Sequence, residues 1–232
     1  MNKRTFLGLS LTLGFIVFSG ACNQAANHVN TTTNHNGMNH NGMNHNSMTN
    51  HNGAANANHN MAQMHSETMK SDPNAASAPF DLQFIDTMTH HHEGAVRMAE
   101  MVLQKSNDEE LKKFAQKIID DQRQENAQMK GWRENWYAGK PMARNMEMPG
   151  MMDSTKMMSG DQMKMMETMT GKDFDLHFLD MMIPHHEGAV KMAKDASQKA
   201  EHAEIKTLAG EIIKEQEAEI KKMRDWKAKW SK

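Results

Sequence analysis

The sequence predicts an all-α protein, an antiparallel four-helix bundle built from two duplicated helical hairpins behind a disordered N-terminal arm. Three observations carry this. Phe80–Trp136 and Phe174–Trp230 align without gaps at an offset of 94, with 26 identities over 57 positions. Both copies place apolar residues at helical spacing, and neither shows sustained period-two alternation of β-formers. The 57 residues before them, 23–79, hold 15 Asn and only one large aliphatic or aromatic residue, Val29. That is too little apolar surface to offset the entropy of ordering a chain.

The N-terminus has the order of an export signal. Lys3 and Arg4 precede an apolar run from Phe6 to Phe18, and the small residues Ser19, Gly20 and Ala21 follow. The run is about 13 residues, against the roughly 20 a membrane span needs. Cys22, the sole Cys, sits just after the small residues, so two readings stand. Cys22 is either the lipidated first residue of a tethered lipoprotein, or part of a soluble protein cut after Ala21. Both place the mature chain in the periplasm or another extracytoplasmic space.

The arm carries a near-repeat, His35-Asn36-Gly37-Met38, His40-Asn41-Gly42-Met43 and His45-Asn46-Ser47-Met48. Each unit pairs an imidazole with a thioether. A plain spacer needs neither, so the arm is read as a flexible metal-capturing segment.

In the first hairpin, Phe80, Phe84, Met88, Ala95, Met98 and Val102 recur on one face. Asn107 and Asp108 interrupt the pattern, and Leu111, Phe114, Ile118, Met129 and Trp132 form the stripe of a second helix. One such hairpin leaves an apolar face exposed; two packed together bury it. The second copy differs at Pro184, where the first has His90, and Pro184 is expected to kink or loosen its helix.

At 100° per residue, His91 and His92 fall within about 60° of Met88, inside the apolar arc, and Met98 lies at its edge. Asp86 and Glu93 fall outside the arc's centre and are read as surface or boundary groups. On the second helix Gln122 and Glu125 interrupt the buried stripe, where polar groups are costly unless satisfied. Folding the chain at residues 106–107 brings His91 and His92 level with 121–122 and Glu125 level with Met88. In the second copy the same fold sets His185 and His186 near Gln216, and Met182 near Glu219. The candidate metal ligands are therefore His91, His92, Met88, Met98 and Glu125, with His185, His186, Met182, Met192 and Glu219.

Between the copies, Met142–Met169 holds 11 methionines in 28 residues, including Met151-Met152, Met157-Met158 and Met163-Lys164-Met165-Met166. This stretch is either a greasy cap on the bundle or a set of soft donors. Thioethers do not titrate, bind Zn²⁺ poorly and select Cu(I) and Ag(I), while imidazole accepts Cu(II) as well. The domain organisation expected is a signal peptide over 1–21, the arm over 22–79, hairpins over 80–137 and 174–232, and the Met-rich connector over 138–173, with 80–232 one bundle domain.

The run FDLHFLDMMIPHHEGAVKMA, Phe174–Ala193, resembles the hallmark of the exported domain-of-unknown-function family 305, and the resemblance covers about 80–232 twice over. It implies a ferritin-like four-helix bundle. The His- and Met-rich additions are similar to those of copper-resistance members of that family, which implies copper binding outside the inner membrane. By position it carries over His185, His186, Met182 and Met192, with His91, His92, Met88 and Met98 in the first copy, where Thr89-His90 departs from the motif's Ile-Pro.

Composition agrees. The chain carries 26 Met and 14 His in 232 residues, with one Cys, so a disulfide framework and a Cys-rich zinc site are excluded. With 27 Lys plus Arg against 29 Asp plus Glu, no basic excess argues for nucleic acid. The function expected is a non-enzymatic copper-binding protein for sequestration, homeostasis and resistance. It would hold Cu(I), with Cu(II) and Ag(I) as further ions, and work with a copper-delivery or efflux partner. The competing reading is a ferritin-like oxidase holding two iron or manganese ions. The Glu-x-x-His pattern of such centres is incomplete here, and thioethers beside an oxygen-activating centre would be oxidised.

Overall fold

The computed structural model describes residues 70–232. The export signal, Cys22 and the arm up to residue 69 lie outside the described residues. Among those described there are six α-helices and no strand: α1 Phe80–Lys105, α2 Glu109–Trp136, α3 Met151–Met157, α4 Gly160–Thr168, α5 Gly171–Lys199 and α6 Ala203–Trp230, with a 3₁₀ turn at Ala75–Ser77. The fold is all-α. None of the described helices is long and apolar enough to cross a membrane.

The helices pair as the duplication predicts, α1 on α2 and α5 on α6, and the hairpins meet through α1 and α5. Two apolar clusters fill the interior. One joins the C-terminal half of α1 and the N-terminal half of α5 around Met98, Phe114, Phe174, Phe178 and Met182. The other joins the opposite halves around Phe84, Met88, Met129, Met192 and Leu208. Phe84, Phe174 and Phe178 are fully buried, each worth roughly 1.5–3 kcal/mol relative to an exposed side chain.

The two hairpin turns are closed differently. Asp108 Oδ1 accepts from Leu111 N at 2.8 Å and caps α2 directly. His202 stands at the equivalent place before α6 and offers no such oxygen. Asp81, in the first turn of α1, supplies it instead: its carboxylate accepts from Glu201 N at 3.0 Å and His202 N at 2.9 Å. It also meets His202 Nδ1 at 2.6 Å, while the imidazole stacks on Trp136 at 3.8 Å. This clasp ties the first hairpin to the second.

Three expectations change. Asp86 is not a surface group: it is buried, pairs with Arg133 Nε at 2.6 Å and accepts from Ala143 N at 2.8 Å. A carboxylate outside the apolar arc is buried here because the connector folds over it. Residues 70–79, placed in the arm by composition, are ordered against the same connector. Asp72 Oδ2 accepts from Arg144 N at 2.8 Å, and the Ser71 hydroxyl accepts from Met146 N at 2.9 Å. Helix α5 starts at Gly171, three residues ahead of the repeat boundary, and holds Pro184 within its span.

Two glycines let the connector in. Gly94 of α1 and Gly188 of α5 occupy the same position in the two copies. A methyl added at Gly188 would collide with the Ser154 hydroxyl and stand 2.6 Å from the Gly150 carbonyl oxygen. Gly150 itself has φ 85° and its Cα-hydrogen faces Gly188 backbone 2.6 Å from where a methyl would be. At Gly94 a methyl would overlap the Met158 thioether. Helix α3 and the residue after it therefore sit in a notch that side chains would fill.

Gly131→Ala and Gly210→Ala, at helical positions where a methyl meets nothing within 4 Å, should each raise the unfolding free energy by about 0.5–1 kcal/mol. Gly188→Ala should lower it by roughly 1–3 kcal/mol through overpacking. Urea denaturation followed by circular dichroism measures all three, and a gain at Gly188 would refute the close approach.

Candidate metal centre

The four motif histidines lie between the two apolar clusters, and all four are buried, none more than 2% exposed. They are adjacent in pairs, so each pair splits across its helix. His91 and His185 turn toward each other across the α1–α5 seam, with ring centroids 3.7 Å apart and planes 36° apart. His92 and His186 turn toward their own hairpin partners. His186 Nε2 hydrogen-bonds Glu219 Oε2 at 2.9 Å. His92 Nε2 approaches Glu125 Oε2 at 2.6 Å, but out of line for a hydrogen bond.

The glutamates are thus in the site's neighbourhood, one turn from where the folded sequence set them. Glu125 meets His92 rather than Met88, and Glu219 meets His186 rather than Met182. The cause is side-chain direction. Helical side chains lean toward their own N-terminus, which is away from the turn on α1 and toward it on α2. A residue on α1 therefore meets a partner farther along α2 than equal Cα height implies.

The motif methionines are fully buried, but in the apolar clusters rather than around one point. Met88 and Met192 share a cluster with Met129, while Met98 and Met182 share the other with Met223. None of the four lines the cavity beside the histidines. That cavity, about 220 Å³, opens from His91 and His185 toward the connector, and its walls include Met151, Met158, Met163 and Arg97. The position of Met158 is set by Gly94. A methyl there would stand 2.6 Å from the Met158 sulfur and 3.3 Å from His185 Nε2, so sulfur and nitrogen press on the same notch. The sequence marks these among the connector's clustered methionines but does not say which of them reach the histidines. The usable signal was the glycine repeated after both His-His-Glu runs.

The electrostatics of the two faces differ. No ring nitrogen of His91, His185 or His92 makes a hydrogen bond of normal geometry, although the His91 backbone lies near enough to the His185 ring to favour its protonated form slightly. Leaving a buried polar atom unsatisfied costs about 1–3 kcal/mol, so the His91–His185 pair is poised for something that binds nitrogen lone pairs. Burial, and then the neighbouring imidazoles, hold both rings well below the usual histidine pKa. They are neutral near pH 7 and free to donate lone pairs. His90, at the cavity wall, is lowered to about 4 by burial and then by Arg144 and Arg97. On the other face, burial pushes the Glu219 carboxyl up, but its hydrogen bond with His186 and the charge of Lys117 outweigh this and hold it below the usual value. Gln122 and Gln216 are buried there with unpartnered carbonyl oxygens. Among the described residues no three His, Cys, Asp or Glu side chains converge as a metal cage. A metal at the His91–His185 pair would need a donor of another kind, and the cavity offers sulfur.

The sequence profile of the domain of unknown function DUF305 matches residues 21–125 and, overlapping, 81–227. The chain belongs to the DUF305 family. Among solved structures it resembles a DUF305 protein of Streptomyces coelicolor, with 31% identity over 66% of this chain and 93% of that one, at TM-score 0.59. It also resembles CopM in its Cu(II)-bound form, with 40% identity over 65% of this chain and 97% of that one, at TM-score 0.55. CopM is known in Cu(I)-bound, Ag-bound and apo forms too. A DUF305 fragment of Deinococcus radiodurans matches at 26% identity over 66% of this chain and 97% of that one, at TM-score 0.57. No curated protein matches the sequence significantly.

The depressed imidazoles give a pH dependence with a definite sign. Between the unfolded pKa near 6.5 and the lower folded values, the unfolded chain binds protons that the folded chain does not, so stability rises with pH. It is fully present above about pH 6.5 and falls below, by up to about 1.4 kcal/mol per pH unit for each ring. Denaturation of chelator-treated protein between about pH 7.5 and about pH 5 should show this slope. The double variant His91→Leu, His185→Leu should reduce the slope and leave the part that His90, lowered to about 4, contributes; an unchanged slope would place the proton-linked groups elsewhere.

Proposed function

We propose that this DUF305 protein captures copper outside the cytoplasm, holding it as Cu(I) at the His91–His185 pair and thereby sequestering it. One observation carries the reading: two buried, neutral imidazoles with centroids 3.7 Å apart and planes tilted by 36°, without side-chain hydrogen-bond partners, beside a cavity walled in part by methionine. The four long helices are read as a ferritin-like four-helix bundle. The likeness to copper- and silver-bound CopM supports the choice of metal. The export signal supports the compartment, whether Cys22 is lipidated or not.

The donor set favours a soft monovalent ion. Imidazole with thioether suits Cu(I) and Ag(I), while among the described residues Zn²⁺ has neither a thiolate nor a cage of oxygen and nitrogen to enter. The chemistry proposed is capture, not turnover. Glu125 and Glu219 do not join the cavity; each meets a different histidine on the far face. That separation argues against a shared two-iron centre, in which inward carboxylates bridge the metals. His92 and His186, with their glutamates, are read as a polar belt that fixes the helices while the other two rings stay free.

Anaerobic titration of the full chain with Cu(I) against a chromophoric competitor tests this. His91→Ala and His185→Ala should each lower the affinity of the first equivalent while far-UV circular dichroism stays helical. Zinc bound more tightly than Cu(I) would overturn the reading in favour of the two-metal enzyme. Deleting residues 23–69 should reduce the number of copper ions bound and leave the tightest site intact, because arm ligands lose chain entropy on binding. Loss of the tightest site on deletion would move the function into the arm.

A further inference from the structure

We infer that Met158 is the thioether ligand that completes the His91–His185 site, so that the connector between the repeats forms one jaw of the metal site. This rests on the copper reading above and specifies the site's third donor. Two imidazoles alone give a soft monovalent ion a two-coordinate site; a third, sulfur donor is what raises selectivity for it over Zn²⁺. Of the methionines near the histidines, the motif's own Met88, Met98, Met182 and Met192 are packed into apolar clusters away from the cavity. The connector's Met151, Met158 and Met163 do line it. Met151 is 2% exposed and belongs to the apolar cluster around Met88. Met158 is the one whose sulfur borders the same notch at Gly94 as a ring nitrogen, 2.6 Å and 3.3 Å respectively from where a methyl there would stand.

The glycines explain how it arrives there. At Gly188 the backbone of Gly150 and the Ser154 hydroxyl come in close, and Ser154 Oγ reaches the carbonyl oxygens of Gly150 at 2.9 Å and His185 at 3.3 Å. That contact seats the start of α3 on α5, over the helical turn that carries His185. The helix then runs to Met157, and Met158 falls into the equivalent notch on α1. One connector therefore spans both motif glycines, and the twofold likeness of the repeats ends there: one glycine receives a hydroxyl, the other a thioether. A metal bound by His91, His185 and Met158 would cross-link α1, α5 and the connector. Metal loading should therefore clamp α3 and α4 onto the bundle.

The test uses the full chain with one equivalent of Ag(I) in the presence of a competing chelator, reading affinity and hydrogen exchange of the connector amides. In the parent, Ag(I) should slow exchange over residues 151–168. Met158→Leu keeps apolar volume and removes the sulfur. It should weaken Ag(I) binding by at least about tenfold, the loss typical even of groups that merely orient a ligand, and abolish the added protection. Met182→Leu, the same change in the core, should do neither. Gly94→Ala should match Met158→Leu, because its methyl takes the sulfur's place. The two combined should lose no more than either alone. Parent-like binding by Met158→Leu, or loss confined to Met151→Leu, Met163→Leu or Met182→Leu, would overturn the assignment of Met158. Parent-like binding by His91→Ala, His185→Ala together would instead overturn the copper site itself, so the two failures are distinguishable.

Discussion

Burying four imidazoles at the waist of the molecule is the constraint on which the other features depend. An apolar core filled by methionine, phenylalanine and alanine on both sides leaves these rings no water to bond. The fold meets the cost for His186 by a hydrogen bond to Glu219 and turns His92 into close contact with the Glu125 carboxylate. It does not meet it for His91 and His185, whose nitrogens stay unpartnered across the α1–α5 seam. Both hairpins contribute one ring to each kind of environment. The adjacency of the two histidines in the motif is what makes this possible: neighbours on a helix point about 100° apart, so one faces the seam when the other faces the hairpin partner.

The seam itself depends on small residues. Gly94 and Gly188 hold no side chain over the histidine turn, and the connector fills the space. The connector's first residues are fixed by a buried polar row on α1, in which Asp86, Thr87 and Gln83 bind Ala143 N, Asn145 N and the Asn145 side chain. At its end, Lys105 donates to the carbonyls of Met166, Glu167 and Met169 as α4 terminates. An insertion that composition marks only as methionine-rich is thus held at both ends by α1. The site is built from two repeats, but what covers it is single.

The duplication made the helices legible, because 26 shared positions display the same core face twice. Helices α1, α2 and α6 end where the aligned copies and Asp108 say they should. The inward histidines were legible for the same reason. What periodicity could not give was anything set by partners outside the helix. Asp86 lies off the apolar arc yet is buried, because its neighbours are Arg133 and the connector rather than α5. The hairpin register was off by one turn because Cα height ignores the tilt of side chains. Met88, Met98, Met182 and Met192 share an arc with the histidines in projection, but lie above and below them along the axis. A helical wheel has no axial coordinate, so it set methionines of the apolar clusters beside the histidines. Met158 was invisible to the wheel altogether, since its placement comes from a glycine notch on another helix.

The most direct measurement of the central claim is a nuclear magnetic resonance titration of protein labelled with ¹⁵N in its histidine rings, using ¹⁰⁹Ag(I) as the probe. Scalar coupling between silver and a ring nitrogen identifies each ligand without ambiguity. With the first equivalent, the account predicts silver coupling at one nitrogen each of His91 and His185, with His92, His186 and the arm histidines uncoupled. First-equivalent coupling at His92 and His186, or at the arm histidines with the His91–His185 pair unchanged, would contradict it.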